Sequence, residues 1–177
     1  MKNLKIWSLA LALLVAFTSC EAEKEPSVGG ASKVPFKPVA TAQIADMLVG
    51  AWEITDYAEQ PAEFDVYIEF KADGAYELYQ LMFNHEYEML GGSYELLDAE
   101  LSGQYIFTTV DADEKTIVTN VDWNNTYTVK IAENPLRLRL VEENGAYAEY
   151  KSIESVPAYV KEQSVAVEPT RSSEYFL

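Results

Sequence analysis

Residues 64–83 constrain the fold more than any other stretch. Phe64, Val66, Ile68 and Phe70 alternate with Asp65, Tyr67, Glu69 and Lys71, and a period of two places the first set on one face of an extended strand. Asp73-Gly74 then supplies a tight turn, and Ala75 to Phe83 resumes as strand, so the pair reads as a β-hairpin. One hairpin cannot bury its own apolar face, so the rest of the chain must supply matching strands or covering helices.

It supplies strands. Trp52 to Tyr57 alternates, with Trp52 and Ile54 on one face, while Tyr87 to Leu90, Gly92 to Leu97 and Gly103 to Val110 read as strands parted by Gly91-Gly92 and by Asp98-Ala99-Glu100. Lys115 to Val121, Thr126 to Ile131, Leu136 to Val141 and Ala146 to Ile153 complete the series, with Asn134-Pro135 and Asn144-Gly145 as turns. Leu81-Met82-Phe83 puts apolar groups on both faces, which predicts a bend or bulge near Asn84-His85. The twelve Tyr, seven Phe and three Trp suit a pleated, half-buried surface. About eight to ten short strands joined locally, without helical crossovers, predict an all-β antiparallel meander curling into a barrel or half-barrel. Ahead of it, Thr41 stands as an N-cap, and Ile44, Met47 and Leu48 recur at helical spacing before Gly50, giving a short helix that delivers the chain into Trp52.

The order of these pieces resembles the lipocalin-like domain of Bacteroides-type lipoproteins. Gly50-Ala51-Trp52 is similar to the Gly-x-Trp entry of lipocalins, and Phe70 to Tyr76 to the F-x-x-D-G-x-Y hairpin of that domain. Gly92-Ser-Tyr94, Leu101-Ser-Gly103-Gln-Tyr105, Trp123 before Tyr127-Thr-Val129, Leu136 to Leu140 and Tyr150-Lys-Ser-Ile153 follow in the same order. The resemblance spans roughly residues 44 to 157 and implies a small antiparallel barrel with an apolar cavity, but no settled activity. The stretch from Asp111 to Val121 is longer than the family pattern. The resemblance also places Trp52 and Gly50 at the barrel base, with an arginine across the indole. Here Leu136, Leu138 and Leu140 claim the inward face and point Arg137 and Arg139 outward.

The first residues read as an address. Lys2 and Lys5, an apolar run from Ile6 to Phe17, and small residues before the single cysteine, Cys20, form the order of a secretory signal over residues 1–19. Phe17-Thr18-Ser19-Cys20 resembles a lipobox, which implies lipidation at Cys20 and a lipid anchor in the membrane. Glu21, Glu23 and Glu25 are similar to the acidic signal that sends Bacteroides-type lipoproteins to the cell surface, so the expected location is the outer membrane, facing outward. Residues 20–40, with three Pro and two Gly, read as a flexible tether. At about 3 Å per residue such a tether reaches up to roughly 60 Å. The barrel domain then occupies residues 41–157. The tail, 158–177, either frays or lays an edge strand on the barrel or on a neighbour.

A formal charge of −16, from 13 basic and 29 acidic residues, excludes a nucleic-acid partner, because no basic face is available to displace counterions. No Ser-His-Asp order with an elbow, phosphate loop or C-x-x-C appears, so no catalytic residue and no cofactor is expected. His85 is the single histidine, too few for a zinc site. Asp111, Asp113 and Glu114 lack the Gly and Glu of a calcium loop, whose places hold Thr116 and Asp122. What remains is an aromatic set: Tyr57, Phe64, Phe70, Tyr76, Tyr94, Tyr105, Phe107, Tyr127 and Tyr147. These either line a cavity for a small apolar or amphipathic ligand or simply fill a narrow barrel. The second case leaves an accessory protein that binds another envelope protein through its outer face or tail. A connected cavity of roughly 300 Å³ lined by these rings would favour the ligand.

Overall fold

The computed structural model describes residues 34–169 and 175–177. The leader, Cys20 and the first part of the tether lie outside the described residues. Eleven strands follow in chain order: β1 (Gly50–Tyr57), β2 (Gln60–Pro61), β3 (Val66–Phe70), β4 (Ala75–Leu81), β5 (Tyr87–Leu97), β6 (Glu100–Val110), β7 (Thr116–Asp122), β8 (Tyr127–Ala132), β9 (Arg137–Val141), β10 (Tyr147–Ile153) and β11 (Val165–Ala166). Two short helices, α1 (Ile44–Leu48) and α2 (Ala158–Gln163), accompany them among the described residues. No helix among the described residues is long and apolar enough to cross a membrane.

The pairing order β1, β3, β4, β5, β6, β8, β9, β10 and back to β1 closes a ring of 8 antiparallel strands. Each neighbour in the ring is the next ring strand in sequence, so the topology is the up-and-down meander that the turn spacing predicts. The ring is irregular. Its seam between β6 and β8 holds only the pairs Glu100↔Thr128 and Leu101↔Tyr127, supplemented by Val129 N–H donating to Ala99 O at 2.7 Å. Beyond that seam β6 leaves the ring and pairs with β7 as a projecting ribbon, from Gln104↔Asp122 to Val110↔Thr116. This ribbon is where the chain is longer than the family pattern.

Inside the ring, Trp52, Ile54, Ile68, Phe70, Leu78, Leu101, Val129, Ile131, Leu138 and Tyr150 form one continuous buried cluster, with Ile44 and Leu48 of α1 closing the end at Trp52. The Trp52 Nε1–H donates to Leu48 O at 2.8 Å, which ties the helix to the strand it precedes. A second cluster lies outside the ring: Tyr67, Tyr79 and Tyr87, on the outward face of β3, β4 and β5, are covered by Val156 and Val160 of the α2 region. That cover is why Tyr67, polar-side by alternation, is nonetheless buried.

Several local expectations are corrected. Gly91-Gly92 does not divide two strands; β5 runs unbroken through it and there exchanges partners, pairing with β4 over Tyr87 to Ser93 and with β6 over Gly92 to Leu97. Thr41 opens a 3-10 turn and makes no side-chain capping bond, so α1 begins only at Ile44. The bend at Asn84-His85 is instead a closed turn, with Met82 N–H donating to Glu86 O at 2.9 Å and His85 at φ 64°. The far end of the expected tether is docked. Pro38 bridges Ala132, and Val39 N–H donates to Ile131 O at 2.8 Å.

Candidate functional site

The end of the ring opposite Trp52 is built from the start of β3, β8 and β10 and the end of β1. Tyr57, Phe64 and Tyr127 stand around it. Into it comes the chain's own tail: Phe176 sits 5.3 Å from the Tyr57 ring and 4.8 Å from the Phe64 ring, between centroids. Leu177 is fully buried in the core cluster. The Tyr105 hydroxyl donates to Leu177 O, the Tyr127 hydroxyl to Phe176 O at 3.3 Å, and the Tyr175 hydroxyl to Glu88 Oε2 at 2.9 Å. What stays open at this mouth is a cleft of about 240 Å³ walled by Tyr57, Asn125, Tyr127, Leu140, Tyr175 and Phe176.

The nine aromatics therefore divide. Tyr57, Phe64, Tyr105 and Tyr127 meet around the inserted tail. Phe70 and Tyr76 are packed in the closed core, and Tyr94 lies edge-on to Phe70 at 5.1 Å with its hydroxyl on Lys71 O at 2.8 Å. Phe107 stands on the ribbon, lining a separate cleft of about 460 Å³ with Met89 and Val167. Tyr147 faces outward under the Arg139 guanidinium, 4.4 Å from the ring centroid, so it does not reach the interior. A third cleft of about 530 Å³ is lined by Phe64, Gln80, Phe83, His85 and Phe176. None of these clefts gathers the full aromatic set.

Three site groups escaped the sequence reading. Tyr150 is buried inside the ring, and its hydroxyl has no hydrogen-bond partner; its inward alternation with Ala148 was legible. Trp123 donates from Nε1 to the Tyr76 hydroxyl at 2.8 Å, and its ring lies on the backbone of β6. The tail residues 175–177 carried an apolar signal but no address. A methyl group at Gly103 would stand 2.7 Å from the Trp123 ring and 2.6 Å from Ser93 O. Gly103→Ala is thus expected to overpack the β5–β6–Trp123 layer and cost about 1–3 kcal/mol, read as a lower urea midpoint with an unchanged slope.

Burial pushes the phenols of Tyr76, Tyr105, Tyr127 and Tyr150 up from their ordinary value. A raised pKa in the folded state means the fold favours the neutral phenol. The corresponding stability is full below the unfolded value of 10.0 and is lost as pH rises through the folded values. Alkaline unfolding is the expected result, with these tyrosines ionising in one cooperative step at 295 nm. Independent, non-cooperative ionisation of all twelve tyrosines would contradict it.

Elsewhere the polar groups are committed to structure. Asp111 Oδ1 accepts from the backbone N–H of Asp113 and of Lys115, each at 2.9 Å, and so closes the β6–β7 turn. His85 sits exposed at its turn. Among the described residues no group of three His, Cys, Asp or Glu side chains is placed to hold a metal ion. Arg137 and Arg139 point outward, as the leucine alternation predicts, onto Glu149 at 3.0 and 2.6 Å, and not across Trp52.

Fold and site together define an irregular ring of eight antiparallel strands with one end shut by a helix and the other filled by residues 175–177. No protein-family model matches the chain, and no curated protein does. A crystal structure of a lipocalin-like protein from Bacteroides uniformis, at 1.79 Å resolution, is 19% identical, with 60% of this chain and 99% of that chain covered and a TM-score of 0.38. A likeness that distant bears on neither ligand nor activity.

Proposed function

We propose that this chain is a lipoprotein anchored through Cys20 to the outer membrane, facing outward, whose lipocalin-like barrel binds a small apolar or amphipathic ligand at the end opposite Trp52. It acts as a binder and not as an enzyme. One observation carries the ligand reading: that end is filled by residues 175–177 and not by strand side chains, so emptying it leaves all ring pairings in place. The buried Tyr150 hydroxyl, which lacks a partner, supplies a polar handle beneath an apolar body. The anchor rests on the leader, the lipobox resemblance and the acidic residues behind Cys20.

A second reading, an accessory module that binds another envelope protein, is favoured by the projecting ribbon. There β7 ends the sheet order, and Ile106, Val110 and Val118 share an exposed face. Native mass spectrometry of protein purified from its own host separates the two. A retained small apolar molecule supports the first; a retained protein with no small molecule supports the second. For the anchor, Cys20→Ala is expected to abolish acyl labelling and move the protein out of the membrane fraction, and an unsubstituted chain that takes up no acyl label would refute it.

A further inference from the structure

The inserted tail is held in the manner of a bound peptide. Val165–Ala166 adds to the free stretch of β5 in parallel, opposite Glu88 and Met89, and Val167 N–H donates to Met89 O at 3.2 Å. Further along, two phenols donate to two successive backbone carbonyls, Tyr127 to Phe176 and Tyr105 to Leu177. Phe176 meanwhile packs edge-on to Tyr57 and tilted against Phe64. A socket that merely packs side chains has no need of donors aimed at carbonyl oxygens. This one places two such donors at an apolar mouth, with a third hydroxyl, Tyr150, buried in the same interior and unpartnered.

We infer that Tyr175-Phe176-Leu177 is a resident occupant of the ligand site, which an incoming molecule displaces. That molecule has an apolar body and a carbonyl or carboxylate received by the hydroxyls of Tyr105, Tyr127 and Tyr150. The inference rests on the ligand-binding reading and adds its regulation: the tail competes in cis, so apparent affinity falls by the fraction of time the socket stands empty. An acyl chain and an extended apolar peptide share the required chemistry.

The test uses protein expressed from residue 21 onward, which keeps every described residue. A dansylated undecanoic acid serves as the acyl probe and the capped peptide acetyl-Glu-Tyr-Phe-Leu-amide as the peptide probe. The double substitution Phe176→Asp with Leu177→Asp is expected to tighten acyl-probe binding about tenfold, with unchanged far-ultraviolet circular dichroism. The peptide should then displace the acyl probe from the variant. As a measurement that needs no destabilising change, 4-fluorophenylalanine placed at position 176 should move its fluorine resonance to the solvent-exposed position when the acyl probe is added. Equal affinity in both proteins, with the resonance unmoved while probe is bound, overturns the displacement and leaves ligand binding standing. Failure of the acyl probe with either protein, while labelled peptide binds the variant, overturns displacement and small-molecule binding together and makes residues 175–177 a built-in strap.

Discussion

Replacing Trp52 with Ala is expected to lower the unfolding free energy by about 3–5 kcal/mol, the cost of removing a fully packed aromatic. The indole is 1% exposed and lies where β1 enters the ring, against Ile44 and Leu48 of α1. A helix of five residues has almost no stability of its own. It is held by its two buried side chains and by the bond from Trp52 Nε1–H to Leu48 O. The alanine variant therefore loses a ring, a helix contact and the seal of the closed end at once. Trp52→Phe retains most of the ring and strands the Leu48 carbonyl, so a smaller loss of about 1–3 kcal/mol is expected. Urea titration followed by tyrosine fluorescence reads both, and an alanine loss below about 1 kcal/mol, the size of an ordinary surface change, would remove Trp52 from this role.

Signals with a short period were legible and signals of long range were not. Val66, Ile68 and Phe70 lie inward as their spacing of two requires, and Leu138 and Leu140 turn inward as they turn Arg137 and Arg139 out. Gly91-Gly92 misled because glycine marks both a strand break and a close approach; here it admits Tyr76 and Tyr105 on either side of Gly92. Tyr67 misled because alternation assigns faces without saying what covers them. The covering helix α2, six residues after Pro157, is too short to show a helical period. The mouth was the hardest to read, since Tyr105 and Leu177 are separated by 72 residues and nothing local in Tyr175-Phe176-Leu177 distinguishes a frayed apolar end from a docked one.

That docking also changes what a filled barrel implies. Had the mouth been packed by strand side chains, emptying it would cost ring structure. Packed by residues that lie outside the eight-stranded ring, it can be emptied at the cost of three tyrosine hydrogen bonds and some apolar burial, and the Tyr105 and Tyr127 donors remain for another occupant. The two functional readings thus differ in whether the tail ever leaves, which the acyl probe and the fluorine label measure directly.

Glu149→Ala is expected to be as damaging as the loss of Trp52, at about 3–5 kcal/mol, although it removes no ring. Glu149 lies on the outer face of β10, and its two oxygens take separate arginines, Arg137 Nη1 at 3.0 Å and Arg139 Nε at 2.6 Å. The side chains of Glu149 and Arg137 are each 5% exposed. They are roofed by the incoming chain: Arg137 Nη2 donates to Val34 O at 2.9 Å and Pro35 O at 3.1 Å, and Phe36 lies 4.1 Å from the Arg139 guanidinium. Without the carboxylate, Arg137 keeps its charge under that roof with no counter-ion, and relief comes only by lifting residues 34–36 away. Arg139→Ala should cost less, because Arg139 is 26% exposed and water can replace it. Replacing Arg137 and Glu149 together by Met should cost less than the Glu149 change alone, since no buried charge is then left unpaired. Urea midpoints of the three variants check the order, and a Glu149→Ala loss below about 1 kcal/mol would reduce the cluster to a surface ion pair. The same contacts fix where the chain enters the domain. Ala132 and Arg137 pair with each other at the Trp52 end of the ring, so residues 34–39 enter the domain at its closed end.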